Sequence, residues 1–217
     1  MYKTVVFDLD GTLLNTLTDL ADAGNRLCRK YGWPTHERQA YRYFVGNGIP
    51  KLVERLAPAD QRTPALLEAA LADFKRDYGQ HLRDTTAPYP GIPEMLAKLK
   101  ANGVQLAVFS NKADALAKEV VKDYFGTQYF TIVRGQMTGV APKPAAEGTN
   151  ALLQALHADP ASTLYVGDSN VDVETAHNAN LPCCGAVWGF RTREELNAAG
   201  AEYLAENSDE LYDVIMK

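Results

Sequence analysis

Residues 3–16 read KTVVFDLDGTLLNT, an apolar run that stops abruptly at two aspartates and a glycine. Val5, Val6 and Phe7 do not alternate with polar residues, the pattern of a strand covered on both faces as in a parallel sheet. Asp8 and Asp10 are two positions apart, so in an extended chain their carboxylates point to one side while Leu9 faces the other. Gly11 then ends the strand. Two like charges held this close repel unless a cation neutralises them or water solvates both. An isolated Asp-x-Asp before glycine is ordinarily a polar turn. Here a buried strand precedes it and Gly-Thr-Leu follows, so the pair reads as part of a site.

Working outward, Leu17, Leu20, Ala21, Gly24, Leu27, Cys28 and Tyr31 recur at helical spacing, with Thr16 or Thr18 available as N-cap. Gly32-Trp33-Pro34 stops that helix, and every pattern from there to Pro90 is helical. Thr63-Pro64 is a helix start, followed by Leu67, Leu71, Phe74 and Tyr78 on one face. Beyond Pro90 strands and helices alternate: helix over 92–99, strand 104–109, helix through Leu116 and Tyr124, a short strand 131–133, and helix through Leu152 and Leu156. Strand 164–166, helix 171–179, a strand near 183–187, and helices near Glu194 and Asp209 complete the chain.

This alternation predicts an α/β protein, a doubly wound (Rossmann-like) parallel sheet with an all-helical domain inserted after the first strand. The predicted boundaries are 1–16 with 87–217 for the core and 17–86 for the insert. Ligands of such sheets bind beyond the carboxyl ends of the strands. Three predicted strands end there in polar residues: Asp8 and Asp10, then Ser110, then Asp168 with Asp172 one helical turn on.

The composition narrows the classes further. A chain of 217 residues, 46% hydrophobic, buries a proper core, and its net charge of -5 repels nucleic acid and anionic membranes alike. No apolar run nears the roughly 18 residues of a membrane span. The expectation is a cytoplasmic protein with neither a nucleic-acid nor a membrane partner, its oligomeric state, monomer or dimer, undetermined. Cys28, Cys183 and Cys184 show no C-x-x-C spacing and the histidines no metal-binding motif, so the cysteines read as small buried hydrophobes.

DLDGTLLNT resembles the first motif of the haloacid dehalogenase superfamily in its phosphatase form. Ser110, Lys143 and Gly167-Asp168 with Asp172 follow in the order that family uses. The resemblance implies a phosphomonoesterase in which Asp8 is the nucleophile and Asp10 the general acid/base. Ser110 then donates to the transferring phosphoryl group, and Lys143 neutralises that group together with Asp8. It also implies Mg2+ as cofactor, held by Asp8, Asp10 through its backbone carbonyl, and Asp168, with Asp172 either joining the metal set or orienting Lys143. Such residues suit the chemistry: a phosphate monoester is an anion, and a carboxylate reaches its phosphorus only if positive charge surrounds both. Gly11, Thr12 and Asn111 are the implied neighbours of the substrate. Superfamily dehalogenases lack an aspartate at the position of Asp10, and the phosphonate-cleaving branch has a small residue there, so the resemblance is to neither.

The implied substrate is a small phosphorylated metabolite, selected by the insert acting as a cap. Gly46-Asn47-Gly48 and the following residues 49–55 are similar to the cap segment of bacterial phosphoglycolate phosphatases. By that likeness Gly46, Asn47, Gly48, Lys51 and Arg55 bind substrate, with Lys51 or Arg55 meeting a carboxylate. The same residues also fit a flexible turn and a solvated helix face. The β-phosphoglucomutase branch carries Ser-Arg where Gly48-Ile49 align. The first candidate reaction is therefore 2-phosphoglycolate hydrolysis. A pyrophosphatase or broad-specificity small-molecule phosphatase is the alternative, and a non-catalytic regulatory protein with this fold the third reading. One departure from the family pattern is Asn180, at a position commonly glycine.

Overall fold

The computed structural model describes all of Met1–Lys217. The chain divides into two compact units, Met1–Leu14 with Pro88–Lys217, and Asn15–Ala87. It opens with β1 (Thr4–Phe7), in which every residue is buried, and the two-residue strand β2 (Leu14–Asn15).

The second unit is helical: α1 (Leu17–Tyr31), α2 (Tyr41–Phe44), α3 (Ile49–Leu56) and α4 (Pro64–Gln80). In α1 the buried residues Leu20, Ala21, Ala23, Gly24, Leu27 and Cys28 form the expected apolar face, and Gly32 closes the helix in the left-handed region. Thr16 occupies the N-cap position but makes no capping bond, and its hydroxyl is buried without a partner. Thr63 does cap α4, accepting from the Leu66 N–H, with Pro64 in the first turn. Arg26 grips both oxygens of Asp77, tying α1 to α4. Asp19 in the first turn of α1 accepts from the backbone N–H and the hydroxyl of both Thr85 and Thr86. One buried carboxylate thus holds the far end of the unit.

After β3 (Ala87–Pro88) the chain builds the rest of the first unit: α5 (Ile92–Ala101), β4 (Gln105–Ala113), α6 (Asp114–Phe125), β5 (Phe130–Gln136) and α7 (Ala146–Leu156). Next come β6 (Thr163–Gly167), α8 (Asn170–Asn178), β7 (Cys183–Ala186), α9 (Arg193–Ala199), β8 (Tyr203–Ala205) and α10 (Ser208–Met216). The six longer strands form one sheet in the order β5-β4-β1-β6-β7-β8, and all their pairings are parallel. Val6, Ala107, Phe109 and Tyr165 on one face of the sheet share a core with Leu152, Leu153 and Leu156 of α7 and Val173 and Ala176 of α8. The chain winds outward from β1 through β4 to β5, then returns to the other side through β6, so the topological switch point lies beside β1. Phe7, the last residue of β1, pairs with both Val108 and Val166, which sets the end of β1 level with those positions on β4 and β6. No helix is long and apolar enough to cross a membrane.

The structure departs from the sequence expectation at β4 and at the short strands. β4 continues past Phe109 because β5 keeps pairing with it as far as Ala113–Gln136, across a shift in register. Ser110, Asn111 and Lys112 are therefore strand residues, and Ser110 caps no helix, since α6 begins after Ala113. The short strands β2, β3 and β8 carry no extended apolar pattern and are not among the predicted strands. Asn180 has a φ of 56°, the left-handed region that asparagine tolerates better than most side chains, consistent with its standing at a glycine position.

Candidate active site

Around the end of β1 stand Asp8, Ser110, Lys143, Asp168 and Asp172, all of them buried. Carboxylate oxygens of Asp8, Asp168 and Asp172 lie within 4.8 Å of one another. Lys143 Nζ lies 2.7 Å from Asp172 Oδ1 and 2.8 Å from Asp8 Oδ1. It also donates to the Tyr165 hydroxyl at 3.3 Å, which in turn donates to the Phe109 carbonyl at 3.4 Å. Three carboxylates against one ammonium leave uncompensated negative charge in a place largely shielded from water. Burial, first, and the neighbouring Asp172 and Asp10 push the Asp8 carboxyl up to about 7, against the lowering pull of Lys143. Burial and the charges of Asp172 and Asp8 push Asp168 up as well. Burial would lower the Lys143 ammonium, but Asp172 and Asp8 outweigh it and hold the group well above its ordinary value.

Each acid has distinct surroundings. Asp172 closes a capping box on α8: its Oδ2 accepts from the Ser169 hydroxyl at 2.7 Å and from the N–H groups of Ser169 and Asp168, while Oδ1 takes Lys143. Asp168 Oδ1 accepts from the Thr12 hydroxyl at 3.0 Å and Oδ2 from the Phe190 N–H at 2.7 Å. Asp8 Oδ1 has the Lys143 charge close by but no donor aligned on it, a buried oxygen short of a hydrogen bond. That orphaned oxygen, beside lone pairs left on Asp168, is a donor set of the hard-oxygen kind that divalent cations take. The residues fit a cation.

Gly11, with φ at 96°, leaves room for this arrangement: a Cβ there would fall 2.3 Å from Asp168 Oδ2. Gly189 does the same from the other side, where a Cβ would lie 2.2 Å from Asp168 Cβ and 2.6 Å from the Gly11 carbonyl oxygen. Thr12, an implied neighbour of the substrate, is fully buried and its hydroxyl donates to Asp168. Asn111, expected there too, exchanges hydrogen bonds with the Lys143 backbone, donating to its carbonyl at 3.2 Å and accepting from its N–H at 2.8 Å. It fixes the loop that delivers the lysine. Ser110 Oγ accepts from the Lys112 N–H at 3.2 Å, which keeps the hydroxyl proton for an acceptor.

In the helical unit Gly46, Asn47 and Gly48 precede α3. Arg55 there donates to Asn47 Oδ1 at 2.9 Å and to the Phe44 carbonyl at 2.8 Å, and Lys51 pairs with Glu54 at 2.8 Å. Sequence reasoning passed over two residues of the core unit. Tyr165 is a strand residue in an apolar run and signals nothing by itself. Lys112 follows Ser110-Asn111 directly, yet its Nζ lies 3.0 and 3.2 Å from the two oxygens of Asp10, and its side chain is only 2% exposed. The Asp10 carboxylate therefore faces Lys112, apart from the three clustered acids.

A doubly wound sheet with a helical insert after its first strand, and with aspartates, a serine and a lysine converging at its switch point, is the framework of a hydrolase. The haloacid dehalogenase-like hydrolase family matches residues 5–186, and the chain belongs to that family. It is similar to the phosphoglycolate phosphatase of Chromobacterium violaceum, 32% identical over 98% of this chain and 96% of that one. The enzyme of the same name from Thiobacillus denitrificans is 31% identical over 87% of this chain and 84% of its own. Among solved structures, a provisionally named phosphoglycolate phosphatase from Lactobacillus delbrueckii subsp. bulgaricus superposes with a TM-score of 0.93. It is 28% identical and covers 99% of this chain and 98% of its own. The chain is thus an enzyme, a hydrolase on the phosphoglycolate phosphatase-like branch of its family.

Proposed function

We propose that this hydrolase is a Mg2+-dependent phosphomonoesterase acting through an aspartyl-phosphate on Asp8, with 2-phosphoglycolate as its substrate. The observation that carries the reading is Asp8 itself: a buried carboxylate at the end of β1 with one oxygen short of a donor and a lysine ammonium at 2.8 Å. Asp8 and Asp168 are the side chains that would hold Mg2+, with the Asp10 carbonyl. When bound, the ion would neutralise the clustered acids and the incoming phosphate. Asp172, with both oxygens engaged, orients Lys143.

Asp8 attacks phosphorus in line, and Asp10 protonates the departing alkoxide, which is otherwise a poor leaving group. Lys143 and the Ser110 hydroxyl offset the negative charge on the transferring oxygens. Asp10, now a base, takes a proton from the water that attacks phosphorus, and the P–O bond of the acyl phosphate breaks to release the Asp8 carboxylate and inorganic phosphate. We assign the choice of substrate to the helical unit, through Lys51 and Arg55, and the setting to the cytoplasm, consistent with three free thiols. The test is turnover of phosphoglycolate, pyrophosphate, nucleotides and sugar phosphates with and without Mg2+. Strict metal dependence and a preference for phosphoglycolate above about tenfold are expected. A flat profile would replace this substrate with a broad-specificity assignment, and no turnover at all would point to a regulatory protein.

A further inference from the structure

We propose that Lys112 is the positioning residue of the acid/base carboxylate Asp10. Asp10 stands beyond the end of β1, its backbone bridged to Leu14, next to Gly11 with its φ of 96°. A side-chain carboxylate there has several rotamers open to it. Lys112 comes from the extended end of β4 and meets both Asp10 oxygens, at 3.0 and 3.2 Å. Contact with both oxygens fixes the plane of the carboxylate as well as its position, which contact with one would not.

The lysine is held as firmly as its partner. Its side chain is 2% exposed against 15% for Asp10, and its N–H is bonded to Ser110 Oγ at 3.2 Å. Burying an ammonium is unfavourable unless a charge meets it, and an apolar side chain of the same length would fill the space at lower cost. The charge at this position is therefore explained by what it does to Asp10. Lys112 acts through Asp10 and is not itself a catalytic residue.

The inference rests on the acid/base reading of Asp10, and leaving groups separate the two. Departure of an alkoxide from 2-phosphoglycolate needs a proton, whereas departure of 4-nitrophenolate needs little help. Lys112→Met is expected to lower kcat/KM for phosphoglycolate about 100-fold, and for 4-nitrophenyl phosphate less than about threefold, with KM nearly unchanged. Asp10→Asn is expected to show the same selectivity. Adding Lys112→Met to Asp10→Asn is expected to cost no more than about twofold further, since the residue it positions is already disabled.

Equal losses on both esters in Lys112→Met, alongside a selective Asp10→Asn, would overturn the proposal alone. So would a full further loss in the double variant, or a raised KM with kcat intact. An Asp10→Asn variant indifferent to the leaving group would overturn the acid/base role and the proposal together. Should Lys112→Met fold poorly, Lys112→Arg keeps the charge with altered geometry and is expected to lose about tenfold, again on the alkyl ester only; equal losses on both esters in that variant would count against the proposal in the same way.

Discussion

Lys143 Nζ lies 2.7 Å from Asp172 Oδ1, with both side chains almost wholly removed from solvent. Asp172 is the fixed member of the pair, because its other oxygen is bound by the first turn of α8. Asp172→Asn keeps the size and removes the charge that locates the ammonium. It is expected to lower kcat by about 10- to 100-fold while the protein remains folded, whereas Lys143→Met is expected to lose at least about 100-fold. Steady-state kinetics and circular dichroism check both.

Proton and cation compete for the acid cluster. With the Asp8 carboxyl pushed up to about 7, the folded protein binds a proton there more tightly than the unfolded chain does. The stability this group contributes without metal is therefore present at low pH and is lost as pH rises through the window from about 4 to about 7. Asp168, raised in the same direction, adds to the trend. Mg2+ is expected to raise the melting temperature more at about pH 8 than at about pH 5, by roughly 5–10 °C at saturating concentrations. Asp8→Asn should flatten the metal-free pH dependence and abolish turnover. Thermal melts with added Mg2+ or chelator, across pH, read the two stability outcomes, and a phosphate-release assay reads the turnover.

Gly189→Ala places a methyl group 2.2 Å from Asp168 Cβ and 2.6 Å from the Gly11 carbonyl oxygen. Neither neighbour is a flexible side-chain end, so Asp168 itself must shift. The expected outcome is a stability loss of about 1–3 kcal/mol in urea titrations, and metal affinity weakened by at least about tenfold in calorimetry. Unchanged metal affinity would remove Asp168 from the cation site.

Asp19→Ala in the helical unit strips four donors, two N–H groups and two hydroxyls, of their common acceptor. A loss of about 3 kcal/mol or more is expected in chemical denaturation. Asp19→Asn, which keeps one acceptor oxygen, should lose less.

Much of this protein was legible before any coordinates. Unbroken apolar runs such as Val5, Val6 and Phe7 mark strands covered on both faces, because a parallel sheet has no wet face on which polar residues could alternate. Acids directly behind such a run mark the strand end that carries a site. Short strands escaped this reading: β8 has three residues and owes its pairing to β7, not to a pattern of its own.

The residue types and order of Asp8, Ser110, Lys143, Asp168 and Asp172 are local properties of the chain, and these the sequence by itself determined. Who meets whom was decided only by tertiary structure. The parallel register sets Phe7 against Val108 and Val166 and so places the end of β1 between β4 and β6, and the folded chain around it gives Lys143 to Asp172, Thr12 to Asp168 and Lys112 to Asp10. Lys112 and Asp10 are 102 positions apart. No pattern along the chain records such a pairing, because a salt bridge depends on distance in space, and distance is set when the sheet closes its register.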